Sequence, residues 1–363
     1  MRPLTLGLAA LAASAAVGSA QASILFMGAY PNSLIVFDEA KGKVVQRIPL
    51  ATGLPTSLRA SNDKKTIYVT TITNSGIEVI DVATRKVTNK FSLNSGNQRY
   101  RFNGGAPDPT GKLFYTVVME ITKGIDRFEV SKPKYAVIDL AQQKIVKTYD
   151  IAKEDEEGAR GYRSTMMVSD DGKYIYQFRD KVIVLDASNF KVIERIDLAK
   201  PESPGLEGVS FGAPLDGISE PGRYVSLFNG ADPHVHNRVF GVARFNLANR
   251  EFTYTPIGPA PSQMAGLQVA PDGKQAYTVV TNGQTGNKRC EIWRFSMSAY
   301  TLQQKAEFPC KSRFTFGMSG NGQKLYMYGA SFEIDVYDAR SLKFERTWDL
   351  QNDITGAGMV ITN

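Results

Sequence analysis

The chain has 363 residues, with 43 Lys or Arg and 36 Asp or Glu, which gives a formal net charge of +7. Hydrophobic residues make up 42% and charged residues 22%, so the chain is too apolar and too weakly charged for a disordered protein. Two His and two Cys are too few for a multi-histidine metal centre, a four-cysteine zinc site or a four-cysteine iron–sulfur cluster. No C-x-x-C-H motif is present to attach a c-type haem.

The N-terminal segment has the pattern of a secretory signal peptide. Arg2 supplies the positive charge, residues 4–17 are apolar and uncharged, and Ala20-Gln21-Ala22 forms an A-x-A cleavage site. The apolar run is shorter than the roughly 20 residues that span a membrane. We expect residues 1–22 to be cleaved and residues 23–363 to form one exported domain in a bacterial periplasm, with no membrane span. An uncleaved N-terminal anchor is the alternative.

From residue 23 onward one pattern recurs along the chain. A turn of the Asp/Asn-Gly-Lys type precedes an alternating apolar run with Tyr or Phe, and a second run follows that usually ends in Asp. The second runs end at residues 38, 81, 139, 186, 246, 296 and 338, of which 246 and 296 close degenerate copies. Two-residue alternation and β-branched and aromatic residues indicate strands. Further runs before and after each pair bring every unit to about four strands.

Four-stranded repeats of 40–60 residues are typical of β-propeller blades. The sequence therefore predicts an all-β, seven-bladed propeller, with strands A to D from the inside of each blade outwards. A misread degenerate unit would make six or eight blades. Blade one begins directly with a strand B at residues 24–27, and residues 356–362 resemble a strand A. We expect this C-terminal strand to pair into blade one, which closes the ring and removes two open sheet edges.

The long excursions between strands fall on one side of the predicted disc. They connect B to C or D to the next A, at residues 120–133, 151–161, 200–215, 229–238 and 282–289. The acidic run 154–157 lies in one of them and is expected to be solvated. Large side chains enter the inner strands from the same side, namely Arg99, Tyr100, Arg101, Phe102, Tyr162, Arg163, Arg313 and Phe314. They predict a basic, aromatic funnel that holds an acidic ligand or docks a partner. Blade-to-blade packing with solvated charge is the alternative.

The rare Cys and His residues indicate a structural disulfide and no metal or catalytic site. Cys290 and Cys310 fall near facing positions of the C–D hairpin of blade six, so we expect a structural disulfide; two buried free thiols are the alternative. His234 and His236 lie in a loop without a third His, so we expect no metal. The Lys and Arg residues are dispersed, which argues against nucleic-acid binding. No phosphate loop or G-x-S-x-G motif occurs, and no catalytic or cofactor-binding residue is assigned.

Two sets of residues resemble known propellers. Tyr68-Val69-Thr70-Thr71 and residues 277–282 resemble the Y-V-T-N repeat of bacterial exported propellers. A more specific likeness, over nearly the whole chain after residue 22, is to the β (propeller) subunit of quinohemoprotein amine dehydrogenase. It is carried by residues 30–34, by the blade-three loop that reaches residues 130–133, and by the last blade from residue 322 to Asp338 and Leu342.

This resemblance implies a subunit of a periplasmic enzyme that oxidises primary amines. In that family a small separate subunit carries a tryptophan-derived quinone and another subunit carries haem. The propeller subunit scaffolds the small subunit, helps wall the substrate cavity and holds no redox cofactor. The alternative is a free-standing exported propeller that binds a small ligand, a peptide or an envelope component without enzymatic activity.

Overall fold

The structure, a computed structural model, describes residues 22–102, 104–159, 165–178, 181–198, 206–211, 220, 222–232, 234, 237–284, 286–311, 314–329 and 331–362. These residues form seven antiparallel sheets arranged as the blades of a β-propeller, which confirms the predicted fold and blade number. Residues 1–21, which make up nearly all of the predicted signal peptide, lie outside the described part of the chain.

The first thirteen strands of the chain belong to the first three blades, and the last strand of the chain completes blade one. In chain order they are β1 (Ile24–Ala29), β2 (Ser33–Asp38), β3 (Lys43–Pro49), β4 (Pro55–Ala60), β5 (Thr66–Thr71), β6 (Gly76–Asp81), β7 (Lys86–Ser92), β8 (Gln98–Arg101), β9 (Ala106–Pro107), β10 (Leu113–Lys123), β11 (Phe128–Val130), β12 (Lys134–Asp139) and β13 (Lys144–Asp150). A 3₁₀ helix (Lys153–Asp155) and a short α-helix, α1 (Glu156–Ala159), then lead towards blade four.

The remaining strands follow the same order from the inside of each blade outwards. They are β14 (Thr165–Val168), β15 (Tyr174–Phe178), β16 (Lys181–Asp186), β17 (Val192–Asp197), β18 (Glu207–Phe211), β19 (Arg223–Ala231), β20 (Arg238–Asn246), β21 (Phe252–Pro259), β22 (Gln263–Met264), β23 (Gln268–Val269), β24 (Gln275–Asn282), β25 (Arg289–Ser296), β26 (Thr301–Phe308), β27 (Phe314–Met318), β28 (Lys324–Gly329), β29 (Glu333–Asp338), β30 (Phe344–Asp349) and β31 (Ile354–Thr362).

The C-terminal strand closes the ring as predicted. β31 pairs antiparallel with β1, with Leu25 opposite Ile361 and Met27 opposite Met359, so blade one has the order β3-β2-β1-β31. The innermost strand of this blade therefore comes from the end of the chain and its other three strands from the beginning. Without this pairing β1 would be the open inner edge of blade one.

The recurring turn has a local physical cause. In blade four the Ser169 hydroxyl donates to Asp171 over 2.6 Å and accepts from the backbone N–H of Tyr174 over 3.0 Å. Between them Gly172 has a φ of 72°, a left-handed conformation that glycine adopts without a steric penalty. Gly111, Gly273 and Gly322 occupy the same position with φ between 67° and 72°. The Asp/Asn-Gly-Lys pattern is thus the signature of a turn between strands A and B.

The apolar core lies between the blades. Phe26 and Val36 of blade one pack against Ile67 and Val69 of blade two, and similar clusters fill the other interfaces. Each sheet buries residues on both faces, which explains why its middle strands read as nearly continuous apolar runs. Among the described residues no helix is long and apolar enough to cross a membrane.

The predicted disulfide is confirmed. Cys290 and Cys310 are bonded, with their Cα atoms 5.3 Å apart and a sequence separation of 20. The facing register is wrong by two residues, because Cys290 lies opposite Phe308 and Cys310 follows the end of β26. The offset originates at the hairpin turn, where Ser296 lies opposite Thr301.

Two connections differ from the sequence prediction. The segment 200–215, assigned to a D–A loop, contains strand β18, which is the inner strand of blade five. The stretch from 212 to 222 therefore joins strands A and B, and only Glu220 and Gly222 of it belong to the described residues. The excursion 120–133 is also not a plain loop, because β10 continues to Lys123 and pairs with both β8 and β11. We call β8, residues 119–123 and β11 the blade-three ribbon.

Candidate functional site

The two sides of the disc carry different connections. We call the side with the B–C turns and the D–A connections the loop face, and the side with the A–B and C–D turns the turn face. On the loop face, four connections of blades one and two contain no Asp, Glu, Lys or Arg, although these residues make up 22% of the chain. These connections are residues 30–32, 50–54, 72–75 and 93–97.

Exposed apolar side chains concentrate on the same face. Tyr30, Ile72 and Phe332 lie on the B–C turns of blades one, two and seven and are 61%, 48% and 55% exposed. Ile125, Phe128 and Val130 extend the set on the blade-three excursion and are also exposed. Of the nine large exposed hydrophobic residues in the described part of the chain, these six are on the loop face, and Val146, Ile193 and Phe344 are on outer strands. We call the six the apolar crown.

Backbone hydrogen bonds join the connections beneath the crown into a continuous series. They run from Tyr30 N to Asp353 O (2.8 Å), from Leu50 N to Asn32 O (2.8 Å), from Ile72 N to Leu54 O (3.0 Å) and from Leu93 N to Ser75 O (3.0 Å). Each bond links a B–C turn to a D–A connection beside it. Because these backbone hydrogen bonds hold the B–C turns against the D–A connections, the crown residues of blades one and two are rigidly supported.

The buried carboxylate of Glu78 stabilises one of these D–A connections from inside blade two. Glu78 on β6 is fully buried, and its Oε1 accepts from Thr52 N (2.7 Å) and Thr52 Oγ1 (2.8 Å). Its Oε2 has no hydrogen-bond partner among the described residues. Glu78 therefore fixes the uncharged D–A connection at 50–54 from within blade two.

The predicted funnel residues fall into four groups. Arg99 and Arg101 are exposed on β8, and Arg99 donates to the carbonyls of Gly96 (3.0 Å) and Gln98 (2.9 Å). Tyr100 is half-buried and Phe102 buried in the apolar cluster between blades two and three, and burial raises the pKa of Tyr100.

Phe314 is half-buried and packs edge-on against Phe308, with ring centroids 5.5 Å apart. Tyr162, Arg163 and Arg313 lie outside the described residues. The structure thus brings residues 99–102 together at the blade-three ribbon, and binding by any funnel residue stays a prediction.

The acidic run 154–157 is not simply solvated. Asp155 is 1% exposed and contacts Lys181 over 2.7 Å and Arg195 over 2.9 Å, both on blade four. Burial alone would raise the pKa of Asp155, but these two cations hold it below its usual range. The expectation of a solvated loop is wrong for Asp155. Its ion pairs hold the D–A connection between blades three and four against blade four.

The histidine loop is only partly described. His234 is exposed, and its backbone N–H donates to Asp232 over 2.8 Å, whereas His236 lies outside the described residues. No group of three His, Cys, Asp or Glu side chains that could hold a metal occurs in the part of the chain that the structure describes.

The turn face contains a cavity that the sequence did not predict. It has a volume of about 1460 Å³ and occupies the half of the central channel next to the A–B turns. Inner-strand residues of blades one, two, three, four, six and seven line it. Among these inner-strand residues Arg59 alone carries a charge. A lone cation in a strand-A run was the signal that could have found this site.

Arg59 is half-buried, near the end of β4. Its Nε has no hydrogen-bond partner and its guanidinium no ion pair with any described residue, and burial lowers the pKa of Arg59. The acidic residues of the cavity mouth have local partners instead. Ser61 Oγ donates to Asp63 (2.6 Å), Leu113 N donates to Asp108 (2.6 Å), and Arg244 Nε donates to Glu220 (3.1 Å).

Comparisons with known proteins establish the fold alone. No protein-family model matches the chain, and neither does the sequence of any curated protein. A protein of unknown function from Desulfotomaculum acetoxidans DSM 771 is similar in structure, with 13% identity, a TM-score of 0.55 and coverage of 94% of this chain and 98% of that one.

Two further solved structures are similar over most of the chain. The dihydro-heme d1 dehydrogenase NirN, solved in complex with DHE, has 13% identity and a TM-score of 0.53, covering 94% of this chain and 75% of that one. The β-propeller domain of Cps50 (Swd1) from Myceliophteria thermophila has 10% identity and a TM-score of 0.53, covering 87% of this chain and 93% of that one. At these identities the likeness supports the propeller architecture and no particular activity.

Proposed function

We propose that this chain is a non-catalytic propeller subunit of an exported enzyme complex and that a partner protein docks on the apolar crown. The observation that carries the proposal is the concentration of exposed apolar side chains on the loop face, of which Tyr30 and Ile72 belong to connections without charge. Depletion of charge at the centre of an apolar patch distinguishes protein interfaces from other surface. Covering such a patch removes apolar area from water without stripping ions of their hydration.

The surroundings of the crown indicate the chemistry of the partner. Arg99 and Arg101 are exposed on β8, beside the uncharged connection at 93–97. Lys123 is exposed at the end of β10 in the same ribbon. We therefore expect a partner surface with an apolar centre and an acidic margin facing blade three, since complementary charge at a rim sets orientation and association rate.

The sequence resemblance supports a more specific form of this proposal. In this form the chain is the propeller subunit of a periplasmic amine dehydrogenase and scaffolds a small subunit that carries a tryptophan-derived quinone. It helps wall the substrate cavity, while haem resides in a further subunit and this chain holds neither cofactor. Residues 1–22 are cleaved on export.

A second candidate is a free-standing exported propeller that binds a small ligand. The observation that favours it is the turn-face cavity with Arg59, which no partner subunit needs. The two candidates use opposite faces of the disc, so they can be tested separately.

The docking proposal is tested by introducing one charge into the crown. Phe332 and Phe344 belong to the same blade and are 55% and 56% exposed, but Phe332 lies on the loop face and Phe344 on an outer strand. We expect wild type and Phe344→Arg, purified from the native periplasm, to retain a haem-containing subunit, a small quinone-positive subunit and amine-dependent dye reduction. Phe332→Arg should lose each of these by at least tenfold, because an arginine buried at an interface is costly.

Several results would contradict the proposal. A wild-type chain that is recovered alone, without haem absorbance, argues against a subunit role. Full retention of the complex by Phe332→Arg shows that docking does not use the crown. A homodimer that only Phe332→Arg disrupts assigns the crown to a second copy of this chain, which also overturns the proposal.

A further inference from the structure

We propose that the turn-face cavity binds a small organic monocarboxylate with an apolar body, and that Arg59 anchors its carboxylate. The proposal does not depend on the docking partner, because the cavity and the apolar crown lie on opposite faces. It assigns a ligand class to a site for which the resemblance implies no role.

The position of Arg59 directs its side chain away from blade one. Its neighbours Leu58 and Ala60 pack in the apolar cluster between blades one and two. Successive side chains of a strand point to opposite faces, so Arg59 lies on the side of blade three. It is opposite Tyr68 in register, and Tyr68 packs against Phe114 of blade three.

The guanidinium of Arg59 is unsatisfied in the described structure. Its Nε is buried without an acceptor, and no described carboxylate or carbonyl contacts its other nitrogens. Every other charged residue that borders the cavity belongs to a turn or connection at its mouth, namely Asp63, Lys64, Lys65, Arg85, Asp108 and Glu220. A guanidinium presents a planar fork of donors that a carboxylate matches with two parallel hydrogen bonds. A bound carboxylate would therefore supply the missing acceptors.

The charge and the walls of the cavity restrict the ligand further. One inner cation balances one negative charge, so a monoanion is compensated and a phosphate dianion is not. The walls of the cavity include Met166, Phe316, Met318 and Met359, which offer apolar and polarisable contact. The mouth carries three cations, Lys64, Lys65 and Arg85, and three carboxylates, Asp63, Asp108 and Glu220, so the net charge of the lining comes from Arg59. The volume of about 1460 Å³ exceeds that of a usual small-molecule pocket and leaves room for the ligand and water.

The test is isothermal titration of the full mature chain with octanoate, octanol, octylamine and inorganic phosphate. We expect octanoate to bind with one site per chain and at least tenfold more tightly than the other three probes. Arg59→Met, which keeps the length and removes the charge, should weaken octanoate at least tenfold. Arg346→Met, an exposed arginine on the outer strand β30, is the matched control and should leave the affinity unchanged.

Other outcomes overturn the proposal. Equal affinity for octanoate and octanol in the wild type would exclude recognition of the carboxylate, and this comparison needs no variant. Phosphate bound more tightly than octanoate would assign the site to a different anion. If Arg59→Met does not fold, Arg59→Lys keeps the charge but loses the planar fork, and undiminished octanoate binding by that variant contradicts the bidentate anchor.

Discussion

The A–B turns of the turn face and the connections of the loop face are held together by bonds of different range. The repeated A–B turns of the turn face are satisfied within themselves, as where Ser169 and Asp171 bond residues two to five positions away. The loop face depends on links between distant residues, including Cys290–Cys310, Asp155–Arg195 and Thr52–Glu78, which are 20, 40 and 26 residues apart. The C–D turns of the turn face also accept long-range bonds, from Asn89 Nδ2 to Leu140 O (2.6 Å) and from Gln304 Nε2 to Ser341 O (2.9 Å), and the Glu220–Arg244 pair holds the long A–B connection of blade five.

This difference explains how one fold displays two kinds of surface. An A–B turn whose hydrogen bonds lie within the turn can recur from blade to blade, because it does not depend on residues elsewhere in the chain. Connections on the loop face vary in length and composition, so they need bonds to distant residues to be rigid. Once fastened, they can expose apolar side chains on a stable base, which is the property that a docking surface requires.

The disulfide is the strongest of the loop-face links, and its removal should have the largest effect. Cross-linking a loop of 20 residues stabilises a fold by about 3 kcal/mol, chiefly by restricting the unfolded chain. We expect Cys290→Ala/Cys310→Ala to lose about this amount in urea denaturation, and the reduced wild type to match the double variant. An unchanged urea midpoint in the double variant would show that the disulfide does not stabilise the fold.

The buried ion pairs of Asp155 should rank second. Asp155→Asn removes the carboxylate that Lys181 and Arg195 share, although Arg195 keeps its pair with Glu154 (2.8 Å). Because these cations are 23% and 33% exposed, we expect a loss of about 2 kcal/mol at neutral pH. The pKa of Asp155 is lowered in the folded state, so its stabilisation is complete above the unfolded pKa of about 3.9 and is lost as pH falls through the lower folded value.

This pH dependence provides a second measurement. The difference in unfolding free energy between wild type and Asp155→Asn should stay constant from pH 7 to about pH 5 and shrink below about pH 4. A difference that instead grew on acidification would contradict a depressed pKa. Asp126→Asn is a suitable control, because Asp126 is exposed and pairs only with its exposed neighbour Arg127 among the described residues.

The contrast between the faces also decided what the sequence could predict. Local turns carry their own signature, so the Asp/Asn-Gly-Lys repeat predicted the seven blades, and the spacing of Cys290 and Cys310 predicted their bond. Strand β18 escaped notice because its blade has a long A–B connection in place of the short repeated turn. The buried states of Asp155 and Glu78 and the unpaired state of Arg59 depend on residues from other strands or blades, which no local pattern specifies.

The smallest predicted effects compare one carboxylate from each face. Glu78→Ala removes the acceptor of Thr52 N and Oγ1 in a fully buried site and should cost about 1–2 kcal/mol. Glu78→Gln keeps an amide oxygen at the same place and should cost less than about 0.5 kcal/mol. Asp63→Ala on the turn face should also stay within about 0.5 kcal/mol, because the Asp63 side chain is 58% exposed and water replaces its partners. Urea denaturation of the three variants measures the loss of unfolding free energy. An equal loss in Glu78→Ala and Asp63→Ala would contradict the difference between the two faces.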